Sequence, residues 1–369
     1  MKKSVSKLMA LMLIIALVSS FAAFSASAAT TYTPIGGSTT ITKNLVVESN
    51  ANIPDIEFTY TITRAERIAP TTTTIEILQS TVGATIGTAS FNNADTVGAT
   101  AGLPTDTAGS PTAGFKYARK DVAITFPDGS FTKPGVYRYI VVEGNGNEPG
   151  VTYDSNNTRY VDVFVVANDS NTLSVSSYVV RSAATNIGND LQYVTDPNGK
   201  SGGYTNTVTQ HDFTFTKAIG GNQGDKNKRF TFTLNITNAI PGTYPLVIND
   251  VTGNPSSITV GSDGTYTGTF DLTNGSSIKV HGLNDGSVCV VSEDAQDYTP
   301  SHVVDSGAPT GTNSSGTITM NSDHSVAFTN TRNGVIPTGV LLTVAPFAIG
   351  LLLFGAVGIT MLARKKEEE

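Results

Sequence analysis

Apolar and polar residues alternate with a period of two along most of this 369-residue chain. A β-strand places residues i and i+2 on one face, so this period is typical of strands that bury one face. A clear example is the stretch 56–62, in which Ile56, Phe58, Tyr60 and Ile62 alternate with polar residues. The same pattern predicts further strands near 136–142, 159–166, 173–180, 230–236, 257–261, 277–280, 288–292 and 324–329.

Turn residues separate the predicted strands, and no helical stripe of useful length occurs between the two ends of the chain. The turn sequences include Pro127-Asp128-Gly129, Asn145-Gly146, Asn274-Gly275 and Asp285-Gly286. The chain is rich in Thr, Val, Gly and Asn and contains no Trp, a composition that favours strands and tight turns. These features predict an all-β protein with two tandem immunoglobulin-like β-sandwich domains.

The two halves of the chain share one plan, and this plan sets the predicted domain boundary. Each half opens with a strand that carries one lysine, has a late strand that ends in glutamate, and closes with an aromatic-Thr-Asn strand. We therefore expect an N-terminal β-sandwich domain over 30–207 and a C-terminal one over 208–334. Residues 70–114, which show little alternation, are interpreted as a long surface excursion of the first domain with short edge strands.

The N-terminus has the three parts of a secretory signal peptide. Lys2 and Lys3 precede an apolar run from Leu8 to Val18, and small residues follow as far as Ala29. The apolar run is too short to cross a bilayer comfortably, which distinguishes it from a membrane anchor. We expect residues 1–29 to be removed on secretion.

The C-terminal residues 335–369 combine a peptide motif, an apolar run and a basic tail. The motif Ile336-Pro337-Thr338-Gly339 precedes an uncharged run from Val340 to Ala363, and three basic residues follow directly. The run is long enough for a transmembrane helix, and the basic residues hold the tail in the cytoplasm. This order resembles a sortase sorting signal, and the missing residue between Pro and Thr favours a dedicated sortase over a housekeeping one. An ordinary single-pass anchor is the alternative.

Charge and cysteine content narrow the classes of function. The formal net charge of -7 argues against nucleic-acid binding. Cys289 is the only cysteine, so a secreted chain of this sequence has no intrachain disulfide and needs another source of durability. The histidines show no metal-ligand spacing, and no cofactor motif occurs, so we expect no metal and no cofactor. The four histidines are His211, His281, His302 and His324.

Six polar residues occupy the apolar faces of predicted strands. Lys217, for example, shares its face with Phe215 and Ile219. A single lysine of this kind would be interpreted as a side chain that snorkels at a strand end. The same types recur in both halves, however, which predicts two buried sites. In chain order the six residues are Lys43, Glu143, Asn206, Lys217, Glu293 and Asn330.

Burial of a lysine, a glutamate and an asparagine together predicts a specific chemistry. Burial lowers the pKa of a lysine and raises the pKa of a glutamate, so both groups tend toward their neutral forms. A neutral amine can attack the amide carbonyl, while the carboxylic acid donates a hydrogen bond and transfers protons to the departing ammonia. The expected product is a Lys–Asn isopeptide bond that forms once in each domain.

The sequence resembles the two-domain, isopeptide-containing backbone pilins of Gram-positive bacteria, of the streptococcal T-antigen type. The resemblance implies bonded lysines at Lys43 and Lys217, bonded asparagines at Asn206 and Asn330, and assisting glutamates at Glu143 and Glu293. The matching stretches are "TITKNLVVESNANIPDIEFTY", "FTKPGVYRYIVVEGNGNEPGVTYD", "FTFTKAIGGNQGDKNKRFTF", "NGSSIKVHGLNDGSVCVVSEDAQDYT" and "AFTNTRNGVIPTGV".

The resemblance also implies an acceptor lysine near the end of the first domain, to which a pilin-specific sortase joins the next subunit. The candidate is Lys200, in the turn-rich stretch "DPNGKSGG". A solvated loop lysine without a role is the alternative, and Lys116, Lys120 and Lys133 are the next candidates for the acceptor.

The function that the resemblance implies is that of a major pilin, the structural subunit of a covalent pilus shaft. Such a protein is secreted to the cell surface, is held briefly by its membrane anchor, and is not an enzyme beyond forming its own bonds once. Its implied partners are a sortase, identical subunits head to tail, minor pilins and peptidoglycan. The alternatives are a monomeric wall-anchored surface protein or adhesin with the same domains, and an enzyme with its own substrate.

Overall fold

The computed structural model describes residues 31–99, 114–189, 200–249 and 253–334. The predicted signal peptide, the 336–339 motif and the predicted membrane helix lie outside these ranges. Within them the chain forms strands and turns only, which confirms the all-β prediction. No helix in this part of the chain is long and apolar enough to cross a membrane.

The chain divides into two compact units. Among the described residues, the first contains those up to Val46, Ile56–Asn147 and Thr152–Thr207, and the second contains Val47–Asp55, Glu148–Val151 and those from Val208 onward. The two short segments Val47–Asp55 and Glu148–Val151 therefore pack with the second unit, although the sequence analysis placed them within 30–207.

The described residues from 31 to 208 form thirteen strands, and nearly all of their residues belong to the first unit. They are β1 (Ile35–Glu48), β2 (Ile56–Phe58), β3 (Tyr60–Arg64), β4 (Ile77–Leu78), β5 (Thr85–Ile86), β6 (Ala89–Phe91), β7 (Val97–Ala99), β8 (Phe115–Phe131), β9 (Gly135–Glu143), β10 (Val151–Thr152), β11 (Thr158–Ala167), β12 (Leu173–Arg181) and β13 (Tyr204–Val208). One sheet has the order β10-β13-β1-β8-β5, with β7 also paired to β8. A second has the order β12-β11-β9-β3, with β4 also paired to β9, and β2 and β6 form a separate two-stranded sheet.

The two larger sheets of the first unit bury their apolar faces against each other. Phe126 on β8 and Tyr139 on β9 come from different sheets, and their ring centroids lie 4.8 Å apart. Both side chains are buried. This contact between facing sheets is the core of a β-sandwich.

The described residues from 210 onward form ten further strands of the second unit, which lie in two sheets. They are β14 (Gln210–Gly220), β15 (Phe230–Thr237), β16 (Gly242–Asn249), β17 (Ser257–Val260), β18 (Tyr266–Leu272), β19 (Ser277–Asn284), β20 (Val288–Glu293), β21 (Thr299–Val304), β22 (Ile318–Thr319) and β23 (His324–Thr331). The sheet orders are β17-β16-β19-β14-β23-β21 and β18-β15-β20-β22. Phe215 on β14 and Phe232 on β15 join the two sheets, with ring centroids 5.8 Å apart.

One predicted strand of the first unit is divided in the structure, and the predicted excursion contains short strands, as the sequence analysis expects. The stretch 56–62 is divided at Thr59, because β2 pairs with β6 while β3 pairs with β9 in the sandwich. The described part of 70–114 contains four short strands, β4 to β7, each of which is two or three residues long. Short strands of this kind leave little unpaired edge.

An ion pair is buried between two neighbouring strands of the first unit. Arg138 on β9 and Asp162 on β11 face each other in the antiparallel register. The guanidinium donates to both carboxylate oxygens, with Nε–Oδ1 at 2.6 Å and Nη2–Oδ2 at 2.9 Å. Nη2 also donates to the carbonyl oxygen of Thr185. Both side chains are almost fully buried, so each charge depends on the other.

We predict that Asp162→Ala lowers the free energy of unfolding of the first unit by about 3 to 5 kcal/mol, because the variant leaves the Arg138 charge buried without its carboxylate. Urea unfolding followed by tyrosine fluorescence measures the loss. The matched control is Asp162→Leu combined with Arg138→Met, which removes both charges and should cost much less. Equal losses in the two variants would show that packing, and not the charge, matters here.

Candidate functional site

The first and last strands of the first unit bring a lysine and an asparagine together. Strands β1 and β13 are parallel neighbours, with Lys43 opposite Tyr204 and Leu45 opposite Asn206. Lys43 and Asn206 are therefore two positions apart on adjacent strands, and they project from the same face. Both side chains are fully buried.

The glutamate of the first site comes from the facing sheet. Glu143 is the last residue of β9, and its Oε1 accepts a hydrogen bond from Nζ of Lys43. The hydroxyl of Tyr60, opposite Glu143 in the register of β3 and β9, donates to the same oxygen at 3.3 Å. The ring of Phe58 lies under the Lys43 amine, with its centroid 4.2 Å from Nζ. The amine is thus enclosed by aromatic rings and one carboxyl group.

The second unit repeats this arrangement at its own first and last strands. Strands β14 and β23 are parallel neighbours, with Lys217 opposite Phe328 and Ile219 opposite Asn330. The offset between lysine and asparagine is the same two residues as in the first unit.

The glutamate of the second site also comes from the facing sheet. Glu293 ends β20, and its Oε1 contacts Nζ of Lys217 and accepts a hydrogen bond from Nδ2 of Asn330 at 2.8 Å. The ring centroid of Phe230 lies 4.3 Å from the lysine Nζ. All three polar side chains of this site are buried.

Burial shifts the titration of both lysines. Desolvation lowers the pKa of Lys43 to about 8, although the nearby Glu143 opposes the shift. Desolvation likewise lowers the pKa of Lys217 to about 8 against the opposing effect of Glu293. Burial also raises the pKa of Glu293. A neutral amine is therefore easier to reach in both sites than in water, and in the second site the carboxyl group beside it also tends toward its neutral form.

The glutamates have a second oxygen that is available for a proton. Oε2 of Glu143 and Oε2 of Glu293 are buried and have no hydrogen-bond partner among the residues that the structure describes. An ionised carboxylate would leave charge on an oxygen with no donor, which is costly in a buried site. A proton moved from the lysine to the glutamate relieves both charges at once. Each site then holds an amine nucleophile, an acid and an amide.

The predicted acceptor lysine lies on the surface of the first unit. Lys200 is exposed, and its backbone forms an isolated antiparallel bridge with Arg181 at the end of β12. The next residue, Ser201, donates its backbone N–H to the carbonyl oxygen of Val180 at 2.9 Å. The residues that precede Lys200 in its loop, and the 336–339 motif, lie outside the described ranges.

The other reactive side chains form no catalytic constellation in the described part of the chain. Cys289 is buried on β20, and desolvation raises the pKa of its thiol to about 12, which suppresses the nucleophilic thiolate. His211, His281 and His324 each contact an aspartate, while His302 contacts Thr312. No group of three metal-ligating residues occurs among the described residues.

Sequence reasoning missed three residues around the first site. The backbone N–H of Asp154 donates to Oδ1 of Asn206 at 2.8 Å. The Asp154 carboxylate is bound in turn by Arg159, and Tyr60 donates to Glu143. Alternation gives Tyr60 an inward position but cannot show what its hydroxyl contacts. The Asp154 contact involves a backbone group in a loop, for which the side-chain pattern carries no signal.

Comparisons with known proteins give both a domain family and full-length relatives. Residues 211–332 match a domain family of unknown function, DUF7601. A pilin of Streptococcus pyogenes serotype M1 is 30% identical, and the alignment covers 98% of this chain and 99% of that protein. The pilus tip adhesin Cpa of Streptococcus pyogenes is 35% identical over 35% of this chain and 18% of its own length.

Solved structures of lower similarity were also found. The crystal structure of the major pilin from Streptococcus pyogenes is 24% identical, with a TM-score of 0.49, and the match covers 81% of this chain and 99% of that chain. The major pilin T3.2 from the same species is 20% identical, with a TM-score of 0.49, over 80% of this chain and 97% of that chain.

The lowered lysine pKa predicts a pH dependence of stability when no cross-link can form. In Asn206→Ala/Asn330→Ala the lysines stay free, with a pKa of about 8 when folded against the ordinary lysine value of 10.5 when unfolded. Between these values the unfolded chain binds more protons, so the free energy of unfolding should rise with pH by up to about 1.4 kcal/mol per unit for each lysine. Urea unfolding between pH 8 and about pH 10 measures the slope.

The control for this pH dependence carries Lys43→Met and Lys217→Met in addition, and it should lose most of the slope because the titrating amines are gone. A slope that is unchanged in the control would mean that other groups titrate and that the two lysines keep an ordinary pKa.

Proposed function

The chain belongs to the pilin family, and we propose that it is the shaft subunit of a sortase-assembled pilus in which each domain closes itself with one Lys–Asn isopeptide bond. The observation that carries the proposal is the repeated geometry. A buried lysine and a buried asparagine lie at the same two-residue offset on the first and last strands of each unit, with a buried glutamate in contact. A structural subunit, and not a catalyst with turnover, is the function that this geometry supports.

The proposed bond forms by exchange of ammonia for the lysine amine. Nζ of the neutral lysine attacks Cγ of the asparagine, and the carbonyl oxygen takes up negative charge in the tetrahedral intermediate. The glutamic acid passes a proton to Nδ2, the C–Nδ2 bond breaks, and ammonia leaves. The excess proton on Nζ returns to the glutamate. Bond formation thus consumes one amine and one amide per domain and needs no cofactor.

The bond would join the first and last strands of each domain, which are the strands that carry a pulling force applied to the two ends of that domain. A cross-link between Lys43 and Asn206 closes a loop that spans most of the first unit. By analogy with disulfide loop closure, the reduced freedom of the unfolded chain contributes about 5 kcal/mol. The larger effect is kinetic, because force and proteases then act on a chain whose first and last strands cannot separate. This supplies the durability that a chain without disulfides lacks.

Polymerisation would join the C-terminus of one processed subunit to a lysine side chain of the next. We propose that a dedicated sortase cleaves between Thr338 and Gly339 and transfers the Thr338 carbonyl to Lys200 of the next subunit. Lys200 is exposed, whereas Lys43 and Lys217 are buried and therefore inaccessible to a sortase. Identical subunits would then be joined head to tail at the cell surface, with minor pilins and peptidoglycan as further partners.

Intact mass tests the internal bonds. Recombinant protein covering residues 30–338, produced without any partner, should be lighter than its sequence mass by two molecules of ammonia. Glu143→Ala and Glu293→Ala should each restore one ammonia, because the Lys–Asn pair then lacks its proton donor. Glu148→Ala, at a half-buried glutamate outside both sites, is the matched control and should keep both losses. A wild-type mass equal to the sequence mass would refute the isopeptide proposal.

Immunoblots of cell-wall extracts boiled in SDS test the polymer. In cells that contain the cognate sortase, wild-type protein should give a ladder of covalent multimers. Lys200→Arg keeps the charge but removes the amine nucleophile, so it should abolish the ladder while monomer still reaches the wall. Lys133→Arg is the control and should leave the ladder intact. A ladder that persists in Lys200→Arg moves the acceptor to another lysine, and no ladder in wild type favours a monomeric wall-anchored protein.

A further inference from the structure

The amide of Asn206 is held by a backbone group that belongs to neither the lysine nor the glutamate. The N–H of Asp154 donates to Oδ1 of Asn206 at 2.8 Å, and the Asn206 side chain is fully buried. Attack of an amine on this amide would place negative charge on that oxygen. A fixed N–H that already points at the oxygen is what stabilises such charge in acyl-transfer reactions.

The Asp154 side chain fastens this N–H to the strand that carries Asn206. Its Oδ2 accepts a hydrogen bond from the backbone N–H of Thr205 at 3.1 Å. Its Oδ1 accepts one from the backbone N–H of Asn156 at 3.0 Å, which fixes the turn that follows Asp154. The backbone and the carboxylate of Asp154 thus bind Asn206 and Thr205, two successive residues of β13. These contacts keep the Asp154 N–H directed at the Asn206 oxygen.

Arg159 on β11 holds the Asp154 carboxylate from the other side. Its Nη2 donates to Oδ2 of Asp154 at 2.8 Å, and its Nε donates to the carbonyl oxygen of Gly203 at 2.9 Å and to the hydroxyl of Ser201 at 2.7 Å. The guanidinium carbon lies 4.7 Å from the ring centroid of Tyr204. Arg159 is nearly fully buried, so these partners compensate its desolvation. Arg159 therefore connects β11 with the turn at Asp154 and with the residues that precede β13.

The second site lacks this donor, although it has the same three residues. Oδ1 of Asn330 is buried and has no hydrogen-bond partner in the part of the chain that the structure describes. Nδ2 of Asn330 donates instead to Oε1 of Glu293. One molecule therefore contains a site with the backbone donor and a site without it, and the second serves as an internal reference.

We propose that the backbone N–H of Asp154 is the oxyanion donor for formation of the Lys43–Asn206 bond, and that Arg159 is the residue that positions it. This inference rests on the isopeptide bonds proposed above. In the tetrahedral intermediate the Asn206 oxygen carries the charge and the Asp154 N–H stabilises it, until the C–Nδ2 bond breaks and ammonia leaves. The second bond forms without this contribution.

Rates of bond formation test the proposal on the processed chain, residues 30–338. The chain is isolated unfolded in urea, refolded by dilution and quenched with acid at intervals. After digestion, mass spectrometry quantifies the two cross-linked peptides separately. Tyrosine fluorescence follows folding in the same samples, so that slow folding is distinguished from slow chemistry.

Two substitutions at one position separate the N–H from the carboxylate. Asp154→Ala loses the carboxylate and keeps the N–H, whereas Asp154→Pro loses both. Removing one oxyanion donor costs about 100-fold or more in known acyl-transfer sites, so Asp154→Pro should form the first bond at least about 10-fold more slowly than Asp154→Ala. The Lys217–Asn330 bond should form at the wild-type rate in both. Equal rates for the first bond in the two variants would overturn the proposal.

Arg159 supplies a second test that does not depend on proline. Arg159→Gln should slow the first bond about 10-fold after folding is complete, and Arg159→Lys, which keeps a charge for Asp154, should recover part of the rate. An unchanged rate in Arg159→Gln would overturn the positioning role, and it decides the matter if Asp154→Pro fails to fold. Absence of both cross-linked peptides in wild type would instead refute the isopeptide proposal itself.

Discussion

Parallel pairing between the first and last strands of each unit is the constraint on which the two sites depend. An antiparallel pair would reverse the last strand, and the same lysine and asparagine would lie at a different offset or on opposite faces. The parallel register puts Lys43 beside Tyr204 and Lys217 beside Phe328, with the asparagine two residues further along in both units. Strands that are far apart in sequence are thereby made neighbours, and a bond between them closes the whole unit.

This arrangement buries a lysine in each unit, which is unfavourable when the amine is charged. The neighbouring side chains reduce this penalty. A lysine in an apolar core is tolerated when it can give up its proton to a partner or lie over aromatic rings. Both lysines have a glutamate in contact and an aromatic ring centroid within 4.3 Å of Nζ. The burial that destabilises a free lysine is the same feature that would prepare its amine for the proposed reaction. Formation of an isopeptide bond would remove the buried charge permanently.

Much of this arrangement can be predicted from the sequence because strand periodicity has only two faces. Alternation placed Lys43, Glu143 and Asn206 among inward positions, and the structure shows all three buried. Alternation could not show the division at Thr59. The division arises because β2 pairs with β6 while β3 pairs with β9, and strand pairing is not encoded in the alternation. It also could not show the contact of the Asp154 N–H, because backbone groups leave no mark in the sequence pattern. The 336–339 motif stays a prediction from sequence.

The two sites share a lysine, a glutamate and an asparagine but differ in the residues that surround them. The shared features are the ones that the proposed bond requires, and the others would only change its rate of formation. Tyr60 and Phe232 occupy matching register positions opposite Glu143 and Glu293, yet only the tyrosine can donate a hydrogen bond to its glutamate. The Asp154 N–H is a second donor at the first site alone. At the second site desolvation raises the pKa of Glu293, and Nδ2 of Asn330 donates a hydrogen bond to its carboxyl group. Strand register and burial are therefore common to both units, while the hydrogen bonds that would tune each proposed reaction differ between the units.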